Sequence, residues 1–282
     1  MDVREIDLYR YYGHTPPPEA VGRLTVWHYE TPERLGGRRT RPGVLLLPGG
    51  AYSRTSDREA EPVALRFAAL GYIPFVLRYS CAPHSFPVAL REAAMAMRYI
   101  RENGRELDVD PHMVAAVGFS AGGHLCGTLG TLYDGEEVAD IGAGAVIRPD
   151  ALGLCYPVAV SWGATHEESF ENISGGSRTL RDRLSLEKLV RADMPPVFLW
   201  HTREDPSVPC RNSLILACGL EEAGVDFAFH LYHRGGHGLS NADETVYPAG
   251  RVPPVSWDVP GWLEAMVRFF QEKGLRIKDG EE

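Results

Sequence analysis

From residue 44 onward, short apolar runs alternate with longer amphipathic ones. Residues 44–47 are continuously apolar and end at Pro48-Gly49-Gly50. A run this short and this greasy reads as a strand buried on both faces. Residues 59–70 carry apolar side chains at helical spacing and stop at Gly71. A strand is expected at 73–77, although Pro74 weakens its start. Residues 87–103 place Leu90, Ala94, Met97 and Ile100 on one helical face. A buried strand follows at 113–117, then a helix of small residues at 121–132. Further strands are expected at 152–156 and 197–201, and a helix at 212–222 that ends near Gly224. Residues 226–232 alternate, with Phe227, Phe229 and Leu231 on one side, and 262–273 closes the pattern as a helix. Nearer the start, 24–29 alternates as a half-exposed antiparallel edge strand would.

Repeated strand–helix alternation predicts an α/β fold with a mostly parallel sheet covered by helices on both faces. The 282 residues, 44% of them apolar, suffice for one large core, so residues 1–282 read as a single domain. Two polar stretches, 131–149 and 162–194, are long for loops. In open α/β sheets the loops at the carboxyl ends of strands build the ligand site. The stretch 162–194 is accordingly the candidate for a small loop cap. Its apolar residues, such as Phe170, Ile173 and Leu180, are scattered and promise no continuous greasy channel.

Charge and cysteine usage narrow the setting. Lys and Arg number 29 against 38 Asp and Glu, a net charge of −9. That balance argues against nucleic acid and anionic membranes as partners. No apolar stretch approaches the ~20 residues needed to span a bilayer. The opening residues show no basic segment followed by an apolar run, the mark of a secretory signal. The five cysteines (81, 126, 155, 210 and 218) lack paired short spacings, so reduced thiols in a cytoplasmic protein are expected. His230, His233 and His237 lie close in sequence but match no metal-ligand spacing; no metal and no cofactor are expected.

The chemistry-bearing segment is Gly118-Phe119-Ser120-Ala121-Gly122, a G-x-S-x-G match. Chance alone gives roughly 0.15 matches in a chain of this composition. Its context carries more weight, because a buried strand precedes it and a small-residue helix follows, as a nucleophile elbow requires. The elbow strains the serine backbone, so its neighbours must lack bulk. The helix N-terminus then aims the Ala121 N–H at a developing oxyanion. A second donor is expected from Pro48-Gly49-Gly50-Ala51-Tyr52, at the N–H of Gly50 or Ala51. Gly49 and Tyr52 are candidates for contact with substrate, and Tyr52 alternatively packs. Ser120 needs a base, and the base needs a carboxylate. In α/β hydrolases the order is serine, acid, histidine. Asp205, in Glu204-Asp205-Pro206 after the 197–201 strand, is the candidate acid, with Glu204 as the alternative. His237, between Gly236 and Gly238, is the candidate base, with His233 as the alternative. His124 reads as structural, His230 as packed in its strand, and His28, His84 and His201 as core or surface residues. Arg58 and Glu59 read as a charged helix start; alternatively they pair with each other or with loops of the site.

Several segments together resemble the bacterial acetyl esterase and acetyl-xylan-esterase-like branch of the α/β hydrolases. They are Leu47-Pro48-Gly49-Gly50-Ala51-Tyr52, Ser56-Asp57-Arg58-Glu59-Ala60-Glu61-Pro62, Leu77-Arg78-Tyr79-Ser80, Gly118-Phe119-Ser120-Ala121-Gly122-Gly123-His124-Leu125 and Gly235-Gly236-His237-Gly238-Leu239. The resemblance covers roughly residues 40–272, and it departs from the family where Pro48 stands in a position often held by histidine. It implies cofactor-free hydrolysis of small-molecule esters with short acyl groups, acetylated sugars among them. An amidase, formamidase or peptidase using the same three residues is the competing enzyme. A peptidase of this fold usually adds a propeller domain, for which the chain has no room. A binding protein on the same scaffold is the non-catalytic alternative, and an intact serine–acid–histidine order argues against it.

Overall fold

A computed structural model of the chain describes residues 1–35, 37, 39–142 and 144–279; Ala143, within the expected 131–149 loop, lies outside them. Nine strands are found among the described residues: β1 (Asp2–Asp7), β2 (Arg23–His28), β3 (Arg39–Leu47), β4 (Ile73–Arg78), β5 (Val109–Phe119), β6 (Ala151–Cys155), β7 (Val197–Thr202), β8 (Phe227–Tyr232) and β9 (Lys278–Asp279). The order across the sheet is β1-β2-β4-β3-β5-β6-β7-β8, with the short β9 beside the start of β3. From β4 to β8 all neighbours run parallel, while β1 and β2 are antiparallel additions. The helices are α1 (Leu8–Tyr12), α2 (Glu61–Ala69), α3 (Val88–Glu102), α4 (Ala121–Leu132), α5 (Ala139–Gly142), α6 (Glu167–Ser174), α7 (Arg178–Arg183), α8 (Leu186–Leu189), α9 (Arg211–Glu222) and α10 (Trp262–Glu272).

The unbroken apolar runs are explained by burial on both sides. Leu45 and Leu47 of β3 join Ala116, Leu154 and Leu199 in one core, with Met97 of α3, Leu125 of α4 and Leu216 of α9. Val44 and Leu46 point the other way, joining Val117 and Trp200 against Phe67 of α2 and Trp262 of α10. Successive strand residues face opposite sides, so a strand between two helical layers cannot alternate polar with apolar. Each Leu or Val so buried contributes roughly 1.5–3 kcal/mol.

Two expectations need correction. β2 is antiparallel but is not the edge: β1 lies outside it, paired along its whole length from Asp2 opposite His28 to Asp7 opposite Arg23. β1 escapes a sequence reading because only Val3 and Ile6 are apolar, and three apart they break the period of two. Its charged side chains suit an exposed edge that must not recruit another strand. The second correction concerns 162–194, which is not loop but carries α6, α7 and α8. These helices have 8, 6 and 4 residues, too few turns to display a period, and Gly175-Gly176 interrupts them with two left-handed residues. Phe170 and Ile173 of α6, Leu184 just past α7 and Leu186 of α8 face inward into the core beside α4.

Candidate active site

β5 delivers Phe119 to a tight turn, and α4 starts at once with Ala121. Ser120 between them has φ 53° and ψ −118°. A non-glycine residue held there costs of order 1–3 kcal/mol and persists only where its surroundings impose it. Here they do. The Ser120 N–H donates to the Cys155 carbonyl at 3.0 Å, and its carbonyl accepts from the N–H groups of His124 and Val158, both at 3.1 Å. A side chain on Gly118 would sit 2.1 Å from the Gly122 carbonyl oxygen, and one on Gly122 would sit 2.0 Å from that of Leu47. Both glycines are therefore obligatory for the closeness of strand, helix and the neighbouring β3.

His237 and Asp205 reach the serine from the ends of β8 and β7. His237 Nε2 lies 2.8 Å from Ser120 Oγ, and its Nδ1 lies 2.6 Å from Asp205 Oδ2. Asp205 Oδ1 accepts the N–H groups of Ser207 and Val208, each at 2.9 Å. The side chain of Asp205 is fully buried. Burial opposes its charge, but the imidazoles of His201 and His237 outweigh that and hold the carboxyl well below the usual range. His201 is itself buried, with Nε2 at 2.8 Å from the Val208 carbonyl and 3.3 Å from Asp205 Oδ2, and Nδ1 at 2.7 Å from Ser213 Oγ. The alternatives weighed from sequence lie elsewhere. Glu204 is exposed beside Arg203 and Arg234, and His233 is exposed. His230 stacks on Phe198 at 4.8 Å, so the three neighbouring histidines do not converge.

Opposite the elbow, the loop after β3 folds back with φ 129° at Gly50, 58° at Ala51 and 56° at Tyr52. The Gly49 and Gly50 carbonyls close this turn by accepting from Ser56, Ser53 and Arg54. Among the described residues, the N–H groups of Gly50, Ala51 and Ala121 have no acceptor within the protein. Gly49 differs, because its N–H donates to Glu59 Oε2 at 2.8 Å. Tyr52 takes the packing alternative and does not face substrate. It is 2% exposed, and its hydroxyl meets His124 Nδ1 at 2.8 Å.

His124 is structural, as expected, and the structure gives the reason. Its Nε2 donates to the Leu184 carbonyl at 2.7 Å, so one buried imidazole joins the Gly-Gly loop to the 162–194 segment. Asn172 adds a second tie, donating to the Ala51 carbonyl at 2.9 Å. At the head of α6, His166 has its pKa lowered by burial and then by the charge of His237, which puts this segment beside the site. Burial lowers the His124 pKa to about 4, against the Leu184 carbonyl, which pulls it upward. An unperturbed histidine titrates near ~6.5. Between those values the unfolded chain takes up a proton that the native state refuses, so stability is full above about pH 6.5 and is lost as pH falls toward 4. At pH 5 the His124 contribution to that loss is about 2 kcal/mol. Thermal or urea unfolding at pH 7.5 and pH 5 should show His124→Gln to be less acid-sensitive than the wild type by about this amount; equal sensitivity would remove His124 as the source.

Sequence reasoning undervalued Glu59. It ends a single 3₁₀ turn, Asp57–Glu59, and is buried, not a solvated helix start. Besides Gly49, it accepts the Tyr156 hydroxyl at 2.7 Å. Arg58, its neighbour, is exposed and stacks on Tyr247.

The chain matches the family described as BD-FAE over residues 33–144 and the Prolyl oligopeptidase family over residues 89–251. It is 36% identical over 220 residues to an endo-1,4-beta-xylanase B of Butyrivibrio fibrisolvens, covering 73% of this chain and 34% of that one. It is 26% identical over 216 residues to an acetylxylan esterase of Xylanibacter ruminicola, covering 74% and 42%. The chain thus spans about a third of the first of these relatives and less than half of the second. Among solved structures it is similar to the acetyl ester-xyloside bifunctional hydrolase from Caldicellulosiruptor lactoaceticus, with a TM-score of 0.82, 32% identity and 97% of both chains covered. No helix among the described residues is long and apolar enough to cross a membrane.

Proposed function

The chain belongs to the α/β-hydrolase family of carboxylesterases, and from that premise we propose that it is a serine carboxylic-ester hydrolase acting through Ser120, His237 and Asp205. The observation that carries this reading is the unbroken hydrogen-bonded chain from Ser120 Oγ through the His237 ring to Asp205, at 2.8 and 2.6 Å. Its consequence is chemical. The Asp205 carboxylate accepts the Nδ1–H of His237, which leaves the Nε2 lone pair facing Ser120 Oγ. As Oγ attacks the ester carbonyl, Nε2 takes its proton and Asp205 stabilises the imidazolium. The oxygen of the tetrahedral intermediate becomes an anion. It is received by the Ala121 N–H and by the Gly50 or Ala51 N–H, preset donors that do not reorganise during the reaction. His237 then returns the proton to the leaving alkoxide, and the alcohol departs. Water, activated by the same nitrogen, releases the acyl group and restores Ser120. The scheme uses no metal and no cofactor.

The substrate class is short acyl esters, acetylated carbohydrates among them. The relatives' names, which include an acetylxylan esterase and an acetyl ester-xyloside hydrolase, support this. So does the 162–194 segment, which acts as a small cap on one catalytic domain. Its buried apolar residues, Phe170, Ile173, Leu184 and Leu186, are spent on the core, so they do not line a channel for a long chain. Each CH₂ of an acyl group adds only about 0.8 kcal/mol, and only when it leaves water. The five cysteines are all free, which supports a reducing, cytoplasmic setting. Amide hydrolysis is the second reading, favoured by the match to the Prolyl oligopeptidase family.

One assay tests both. With p-nitrophenyl esters from C2 to C12 at subsaturating concentration, kcat/KM should be highest at C2 and C3 and fall by C8. The matched p-nitroanilides should be cleaved far more slowly. A kcat/KM that climbs steadily to C8 would sink the short-acyl claim, and faster cleavage of the anilide would replace the esterase by an amidase.

A further inference from the structure

Glu59 is a buried carboxylate beside the site that the esterase reading leaves unused. Glu59 is 3% exposed, and its two hydrogen-bond partners are neutral: the Gly49 N–H on Oε2 and the Tyr156 hydroxyl on Oε1. A carboxylate taken out of water loses its hydration, and two neutral donors replace only part of it. Its retention at this point of the fold calls for a reason, and the partners supply one.

The first partner belongs to the oxyanion loop. The peptide unit joining Pro48 to Gly49 is gripped at both ends. Tyr79 donates its hydroxyl to the Pro48 carbonyl at 2.6 Å, and Glu59 takes the Gly49 N–H at 2.8 Å. The next two planes are held by their own carbonyls, Gly49 accepting from Ser56 and Gly50 from Ser53 and Arg54, so the grip on Pro48–Gly49 anchors the start of a turn in which the Gly50 and Ala51 N–H groups have set directions. The loop is also pressed against the nucleophile: a side chain on Gly49 would lie 2.9 Å from both Glu59 Oε2 and Ser120 Cβ.

The second partner leads to the base. Tyr156 follows β6, is 1% exposed, and sets its ring edge-on to the His237 ring with centroids 5.2 Å apart. The same Tyr156 hydroxyl that donates to Glu59 accepts the N–H of Ser240, three residues past His237, at 2.9 Å. Ser240 is held in turn by its hydroxyl on the Arg58 carbonyl and by Trp262 Nε1 on its own carbonyl. The path from Gly49 through Glu59 and Tyr156 to Ser240 therefore crosses from the oxyanion side of the cleft to the histidine side within the buried interior.

We infer that Glu59 is a positioning residue of the esterase site, setting the oxyanion donors through Gly49 and, through Tyr156, the loop that carries His237. It touches neither substrate nor the reacting atoms. Its effect is to place two groups that arrive on separate loops in one frame, where misplacement by about 1 Å costs on the order of 10²-fold in rate. The inference rests on the proposed function, because a frame for oxyanion and base matters only if Ser120 performs acyl transfer.

Three variants test it with p-nitrophenyl acetate: Glu59→Gln, Tyr156→Phe and the pair combined, each checked by thermal unfolding. Glu59→Gln keeps the shape and one acceptor but loses the charge and the second acceptor. Tyr156→Phe keeps the ring against His237 and removes only the bridging hydroxyl. Each single variant is expected to lose roughly 10- to 100-fold in kcat, with KM within about threefold. The double variant should fall little below the worse single one, because both changes cut the same chain. A residue that merely supported the fold would lower the melting temperature without this split between kcat and KM. If both singles keep more than half of the wild-type kcat, or if their losses multiply in the double variant, the inference is overturned. Should Glu59→Gln fail to fold, Tyr156→Phe decides: reduced kcat with native melting supports the inference, and unchanged kcat overturns it. Ser120→Ala in the same assay separates the two levels. If it is inactive while Glu59→Gln and Tyr156→Phe are normal, the positioning role alone fails. If Ser120→Ala retains turnover, the esterase reading fails first.

Discussion

Ser120→Ala is expected to lower kcat by roughly 10⁴- to 10⁶-fold with the fold intact. The two halves of that expectation have separate physical grounds. The loss follows from removing the atom that forms the covalent intermediate, after which the oxyanion donors and the bound substrate can assist only direct attack by water. In free energy this is about 5–8 kcal/mol of transition-state stabilisation. The fold survives because alanine carries the same Cβ as serine and faces the same cost at φ 53°. The three backbone hydrogen bonds that impose this conformation, to Cys155, His124 and Val158, involve no side-chain atom. Only the bond from Oγ to His237 is lost, and His237 keeps its stronger tie to Asp205. The measurements are kcat with p-nitrophenyl acetate, thermal unfolding, and labelling by a fluorophosphonate, which the variant should resist. A purified, folded variant that kept more than about a tenth of the wild-type rate would remove Ser120 as the nucleophile.

The elbow was legible from sequence because each of its demands is local. Gly118 and Gly122 are needed for contacts with one another and with the adjacent β3, and the strand and helix on either side are written in the neighbouring residues. The alternation of buried strands and amphipathic helices was equally plain, since burial on both faces makes strands such as Val44 to Leu47 uniformly apolar. Glu59 was not legible. It sits in Asp57-Arg58-Glu59-Ala60-Glu61, a run with the composition of a solvated helix start. Its burial is decided by Tyr156, 97 residues away, and no spacing rule connects them. The same holds for Tyr52. Its position after two glycines pointed to the substrate, whereas its partner His124 lies 72 residues on and draws it into the core. β1 and the helices α6 to α8 escaped for a different reason. They are too short or too charged to show a period, and take their structure from the partners they pack against.

Asp205 and Glu204 are adjacent acids, and their substitution should separate them sharply. Asp205→Asn is expected to cost about 10⁴-fold in kcat, and Glu204→Gln no more than a fewfold. Asp205 Oδ1 accepts two backbone N–H groups, from Ser207 and Val208. An asparagine must keep its carbonyl oxygen there, since its NH₂ would face two donors. The NH₂ then occupies the place of Oδ2 and points at His237 Nδ1, 2.6 Å away in the native site. A donor there forces Nδ1 to be the acceptor, which puts the remaining proton on Nε2, toward Ser120 Oγ. The imidazole is then in the tautomer that cannot take the serine proton, and the imidazolium formed in the transition state loses its counter-charge. Glu204 has no comparable role: its carboxylate is exposed, 3.8 Å from Arg234 and 4.0 Å from Arg203, and such pairs are worth little in water. Steady-state kinetics on both variants at one pH, with unfolding curves to confirm their structure, decide the matter. Comparable losses in the two, or the larger loss at Glu204, would move the acid from Asp205 to its neighbour.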